Sequence, residues 1–148
     1  MRKTRAPLTR SQIMARIGSK DTAPELRLRR ALRARGVGYR LHVKGMPGRP
    51  DVVLVGARLA VFVHGCFWHR HPGCRRRTDP KTSSTFWQDK FRRNVERDAR
   101  KTRQLMDAGW KVGVLWECEA HCDADLDLAV DAIIESRDLR LRSARSSC

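Results

Sequence analysis

Chemistry in this chain concentrates in His64-Gly-Cys-Phe-Trp-His-Arg-His-Pro-Gly-Cys74, which puts three histidines, two cysteines and two large aromatic rings in eleven residues. Cys66-x4-His71-x2-Cys74 supplies three donors of the types that zinc accepts. Trp116-Glu-Cys118, at the end of a strand-like run, offers a fourth donor, with His121 and Cys122 as neighbouring alternatives. Three thiolates and one imidazole make a closed tetrahedral structural site, and soft sulfur donors argue against magnesium at that place. Reduced cysteines without a metal are the plain alternative, and the density of ligands weighs against it.

A second chemistry is interleaved with the first. Pro50-Asp51 opens a strand, and the returning strand of its hairpin brings residues 62–64 alongside. A carboxylate there can hold a hard cation or simply cap the turn after Gly48-Arg-Pro. Asp98 falls in the middle of the helical stripe Trp87–Phe91–Leu105 at about 100° per residue, so it needs a partner. That partner is either an arginine at the core edge or a histidine that Asp98 would orient and keep basic. His69 and His64 have no place in the zinc scheme, so one of them could serve as a general base; a satisfied structural histidine is the alternative, and two spare histidines beside a candidate metal carboxylate weigh towards function. Glu25 is accounted for by its place as third helical residue after Thr22. Phe67 and Trp68 would be held near the surface if a metal pins their loop, and rigid rings of this kind insert between base steps; core packing is the alternative. Phe62, Leu105 and Trp116 are assigned to the core.

The elements that must position these groups follow from spacing. Ile13, Met14 and Ile17 suggest a short helix over residues 9–18. Thr22-Ala-Pro-Glu25 reads as a capping box opening a helix that Gly36 stops. Tyr39, Leu41 and Val43 alternate as a strand. Residues 51–55 and 58–64 form a hairpin around Gly56-Ala57, and residues 65–82 form a long loop, a length that is usually functional or metal-stapled. Residues 84–108 read as a helix with Trp87, Phe91, Val95, Thr102 and Leu105 on one stripe, ended by Gly109. Residues 111–117 read as a strand and 124–137 as a helix, with a frayed tail over 140–148. The order α-α-β-β-β-α-β-α predicts an α/β fold, a mixed sheet flanked by helices.

With 148 residues, the chain suits one domain spanning 1–148, residues 1–20 forming an N-terminal arm. Net charge is +16 and uneven: +12 over residues 1–50, +6 over 51–100 and −2 over 101–148. Such an excess points to a polyanionic partner gripped by the first two-thirds of the chain. No apolar run is long enough to span a membrane, and no apolar stretch follows the basic N-terminus. A cytoplasmic, nucleoid-associated protein with reduced cysteines is therefore expected, with no membrane partner.

Gly48-Arg-Pro-Asp51, Phe62-Val-His-Gly-Cys-Phe-Trp-His69, His71, Cys74, Phe86-Trp87, Asn94-Val-Glu-Arg-Asp98, Gly109-Trp110 and Trp116-Glu-Cys118 closely resemble the very-short-patch repair (Vsr) DNA mismatch endonucleases. The likeness runs in order from about Thr9 to Cys118. It implies a restriction-endonuclease-like fold and a magnesium-dependent nick 5′ of the thymine in T:G mismatches left by 5-methylcytosine deamination. By the same resemblance, Asp51 and the main-chain carbonyl of Val63 would hold magnesium. His69, supported by Asp98, would activate the attacking water, with Glu25 and His64 around the metal and the scissile phosphate. Phe67, Trp68 and Trp87 would wedge beside the mismatch, and Met14 would enter from the other groove. Duplex DNA with a T:G mismatch is the implied substrate, mismatch-repair proteins are candidate partners, and a monomer suffices to cut one strand. Two rivals stand beside this reading: a restriction or junction-cleaving nuclease, and a zinc-stabilised DNA-binding module without catalysis.

Overall fold

A computed structural model describes Thr9 and residues 21–145, with side chains through residue 136. The expected 9–18 helix, including Met14, lies outside the described residues apart from Thr9, as does the tail beyond Arg145. Helix α1 spans Ala23–Ala34. Its expected capping box is altered: Thr22 caps no helical N–H and instead donates its hydroxyl to Glu25 Oε1 at 3.1 Å. Glu25 Oε2 accepts from the Asp21 N–H, also at 3.1 Å. The far end closes with Gly36 at φ +68° and paired bonds from the Gly36 N–H to the Arg33 carbonyl and from the Val37 N–H to the Leu32 carbonyl. Left-handed backbone at that point is what a glycine permits.

Three strands form one mixed sheet in the order β1 (Val52–Leu54), β2 (Leu59–His64), β3 (Lys111–Trp116). The first pair is an antiparallel hairpin, with Val52 opposite Val61. The second pair is parallel, with His64 opposite Trp116, and helix α2 (Ser84–Asp107) lies in the crossover between them. Helix α3 runs Asp123–Arg145, past the expected end at 137 and through the start of the expected frayed tail. Residues 39–43 do not form the expected strand. Only Arg40 pairs, with Val53, because His42 at φ +52° turns the chain out of the ladder.

Alternation along β2 sorts the two cores. Leu59 and Val61, with Val52, Leu54 and Leu115, pack on Leu28 and Leu32 of α1 and Leu126, Val130 and Ile133 of α3. Ala60 and Phe62 face the other way, onto Leu105 of α2. Since successive side chains of a strand point to opposite faces, His64 falls on the α2 side. So does Asp51, whose N–H bonds to the Val61 carbonyl at 3.0 Å. The expected apolar stripe of α2 holds at Phe91 and Leu105, which are buried, but Val95 is 46% exposed. Between those anchors the helix borders a cleft instead of the sheet, and Asp98, Lys101 and Thr102 line it.

Candidate active site and metal cluster

The chain leaving β2 folds back at once. The His69 N–H bonds to the Gly65 carbonyl and the His71 N–H to the Cys66 carbonyl, both at 3.1 Å. Arg70, at φ +54°, buries its guanidinium 4.1 Å above the Phe91 ring and donates to the Thr78 carbonyl and to Asp79. Asn94 of α2 donates its side-chain amide to the Trp68 carbonyl at 3.2 Å. These two residues hold the loop on α2 from both sides of His69. Sequence reasoning gave neither a role; an arginine inside the His-rich string and an amide one helical turn before Asp98 were the available signals.

This path brings Cys66, His71 and Cys74 to Cys118, just beyond β3, with donor atoms all within 4.8 Å of one another. His71 Nδ1 lies 3.7 Å from Cys66 Sγ and 3.4 Å from Cys118 Sγ. Zinc bonds of about 2.3 Å to sulfur and about 2.05 Å to nitrogen, at a tetrahedral angle, imply a separation of about 3.6 Å, so the donor set fits that ion. Burial and the neighbouring Cys118 and Cys74 thiols push the Cys66 thiol up to about 12. Crowded thiols ionise together only around a cation. Cys122 is exposed and, with His121, lies outside the cluster. The His71 ring also stacks on Trp116, centroids 4.2 Å apart.

On the other side of the loop, His69 Nδ1 and Asp98 Oδ2 are 2.5 Å apart. Of the two partners left open for Asp98, the geometry supplies the histidine. Burial alone would raise the Asp98 carboxyl, but its bond to His69 and the nearby His69, His64 and Arg97 charges hold it below the ordinary range. His64 stacks on His69 with centroids 4.0 Å apart. Burial, then the His69 charge, lowers His64 to about 4, so it is neutral near pH 7.

Asp51 faces the same cleft, a space of about 960 Å³ that Glu25, Val63, His64, His69 and Asp98 also line. Its Oδ2 accepts from the Val63 N–H at 2.7 Å. The N–H and carbonyl of one strand residue point to the same side of the strand, so the Val63 carbonyl faces the side on which Asp51 lies. Burial, with the Glu25 charge, pushes Asp51 up to about 6 against the Val63 hydrogen bond. A buried carboxylate at Glu25, a half-buried one at Asp51 and a carbonyl are donors suited to a hard cation. Glu25 is bonded by Arg29 at 3.3 Å, and Arg29 also donates to Asp21 at 2.6 Å. Glu25 thus closes the start of α1 and lines the cleft as well. Phe67 and Trp68 sit at the rim with Trp87, at centroid separations of 5.3–5.8 Å. Phe67 also packs on buried Phe91 at 5.1 Å, so wedge and core readings meet in this one residue.

A family model described as DNA mismatch endonuclease Vsr matches residues 4–76. The chain is 45% identical over 114 residues to the type II nicking enzyme V.XorIIP of Xanthomonas oryzae, covering 77% of this chain and 83% of that protein. It is 44% identical over 110 residues to the DNA mismatch endonuclease Vsr of Escherichia coli, covering 74% and 70%. Against the type II nicking enzyme V.NmeAIP of Neisseria meningitidis it is 43% identical over 110 residues, covering 74% and 78%. With such relatives, the chain is a nicking DNA endonuclease. It belongs to the Vsr DNA mismatch endonuclease family.

Two outcomes follow from this geometry. Cys118→Ser removes one of four donors, and elemental analysis of the purified protein should show reduced transition-metal content with a lower melting temperature. Cys122→Ser should change neither, and the reverse pattern would relocate the fourth ligand. The second outcome concerns pH. Asp51, near 3.8 in the unfolded chain and about 6 in the fold, contributes stability that is lost as pH rises through that interval. His64, near 6.5 unfolded and about 4 folded, contributes stability gained as pH rises from 4 to 6.5, so the two offset. In magnesium-free buffer, the melting temperature of Asp51→Asn should therefore gain on that of the wild type as pH is raised from about 4.5 to about 7. A difference independent of pH would refute the assignment.

Proposed function

We propose that this chain is a magnesium-dependent endonuclease that nicks one strand of duplex DNA immediately 5′ of the thymine in a T:G mismatch, the lesion left by 5-methylcytosine deamination. It would work as a monomer, one domain of residues 1–148 with a restriction-endonuclease-like fold, on the nucleoid in the cytoplasm. The observation that carries the reading is the meeting of Asp51 with Val63 and of His69 with Asp98 across one cleft, in a chain whose relatives are named mismatch endonuclease and nicking enzymes.

Asp51 and the Val63 carbonyl would hold magnesium, which when bound supplies Lewis-acid polarisation of the phosphate. Asp98 accepts the Nδ1 proton of His69, which fixes the tautomer and leaves Nε2 to take a proton from the attacking water. Neutral His64 stacks against that ring and limits its rotation. Glu25, anchored by Arg29, adds negative charge beside Asp51. Cys66, His71, Cys74 and Cys118 would hold zinc in a structural role, fixing the loop that carries His69. Phe67, Trp68 and Trp87 form the wedge, and separating stacked bases costs less at a mispair than in matched duplex. Met14 would reach the opposite groove. Mismatch-repair proteins remain partners by analogy with the repair role.

Asp51→Asn should abolish nicking of a T:G duplex while leaving DNA binding, since phosphate contacts come from the basic surface. His69→Ala should lose roughly 10²–10⁴ in rate, the usual span for a general base. Nicking at the wild-type rate by Asp51→Asn would misplace the metal. For the wedge, Phe67→Ala with Trp68→Ala should erase the preference for T:G over T:A duplexes, each base–aromatic stack being worth roughly 1–3 kcal/mol. An unchanged preference would leave selectivity to groove contacts. Cleavage of matched or branched DNA as fast as T:G duplex would favour a restriction or junction-cleaving enzyme instead.

A further inference from the structure

Arg49 and Lys101, two of the cations that line the cleft, have no part in the chemistry above. The Lys101 stem runs across Gly48, where an added Cβ would lie 3.0 Å from Lys101 Cδ and 3.1 Å from both Lys101 Cβ and Phe62 Cζ. Gly48, at φ +78°, thus serves both the turn and the close passage of this side chain. The stem therefore passes close against the Gly48 backbone, and Lys101 lines the cleft. Lys101 lies three residues from Asp98 on α2, on the same face of the helix.

Arg49 borders the same cleft. It adopts φ +52°, a left-handed conformation unusual for an arginine and strained further by the proline that follows. Strain of this kind persists where the surroundings demand it, often at a ligand site. Among the described residues, neither Arg49 nor Lys101 forms a salt bridge. Burial lowers the Lys101 ammonium below the ordinary lysine range. The Arg97, Arg100 and Arg49 charges act in the same direction, against Asp98. Like charges gathered in a cleft repel until an anion arrives.

We propose that Arg49 and Lys101 together form a seat for one phosphodiester of the substrate strand, beside the His69–Asp98 pair. The turn Gly48-Arg49-Pro50 and α2 would then grip the strand from two elements, holding its register while the loop rings engage the bases. Phosphate contacts of this sort fix position and carry no sequence information, so the seat serves matched and mismatched duplex alike. The inference rests on the proposed action on DNA but does not depend on the T:G preference or on magnesium.

Methionine keeps the stem and removes the charge, so the test is Arg49→Met with Lys101→Met in the full-length chain. Binding to a matched duplex is measured across salt concentrations, and KM and kcat are measured on a T:G duplex. The slope of log K against log salt should become shallower by about 0.9, the value for one phosphate of duplex DNA. KM should rise about tenfold, as for loss of a charge-assisted hydrogen bond, and the melting temperature should not fall, because repulsion is removed. Lys101→Arg alone should keep the wild-type slope. A double variant with wild-type slope and KM would overturn the seat. A lower melting temperature with unchanged slope would show the pair to be structural and overturn it equally. Failure of the wild type to nick T:G duplex would instead sink the proposed function, and the salt slope would still test the seat.

Discussion

The convergence of Cys66, His71 and Cys74 on Cys118 governs the rest of the site. Cys66 and Cys118 lie two residues beyond the paired ends of β2 and β3, where His64 stands opposite Trp116. Parallel strands end level with each other, so a loop leaving β2 can be tied to the residues leaving β3 with no intervening element. Once tied, the residues between Cys66 and His71 have little freedom. Those residues are Phe67, Trp68, His69 and Arg70: the proposed wedge, the proposed base and the cation stacked on Phe91. A tether of soft donors placed there would let one constraint set the place of both the proposed base and the proposed wedge.

The opposite wall of the cleft owes its shape to the sheet. The antiparallel register of β1 on β2 sets the Asp51 carboxylate against the Val63 N–H, and a shift by one residue would turn Asp51 to the face covered by α1 and α3. Helix α2 then crosses the remaining face, anchored at Phe91 and Leu105. Because the anchors are far apart, the helix bridges an open space, and a carboxylate at Asp98 can sit on its inner face without entering a core. The polar interruption in the stripe is thus where α2 lines the cleft.

Much of this was legible in the sequence. Strand alternation, the hairpin at Gly56-Ala57, both long helices and the ligand spacing around Cys66 are local signals that depend on neighbouring residues. Asp98 was recognisable because a charge centred on an apolar stripe is costly without a partner. What spacing could not reveal depended on tertiary geometry. Residues 39–43 alternate like a strand, but His42 takes a left-handed backbone and only Arg40 pairs. Val95 matches the helical period yet stands exposed. Thr22 and Glu25 have the composition of a capping box, but Arg29 and the Asp21 N–H draw Glu25 into a different set of bonds. Arg70 and Lys101 carry no local signal of their places: the guanidinium of Arg70 lies over Phe91 and the stem of Lys101 passes close to Gly48 only once the chain is folded.

If the four-donor tether positions both the base and the wedge, its loss should disable cleavage without abolishing attraction to DNA, which rests on the Lys and Arg surface. The direct measurement is single-strand nicking of a T:G duplex by protein freed of zinc by acid dialysis and returned to neutral buffer with excess magnesium, before and after zinc is restored. The account predicts nicking lost in the stripped protein and recovered with zinc, while salt-sensitive binding to matched duplex persists throughout. Undiminished nicking by the zinc-free protein would contradict it.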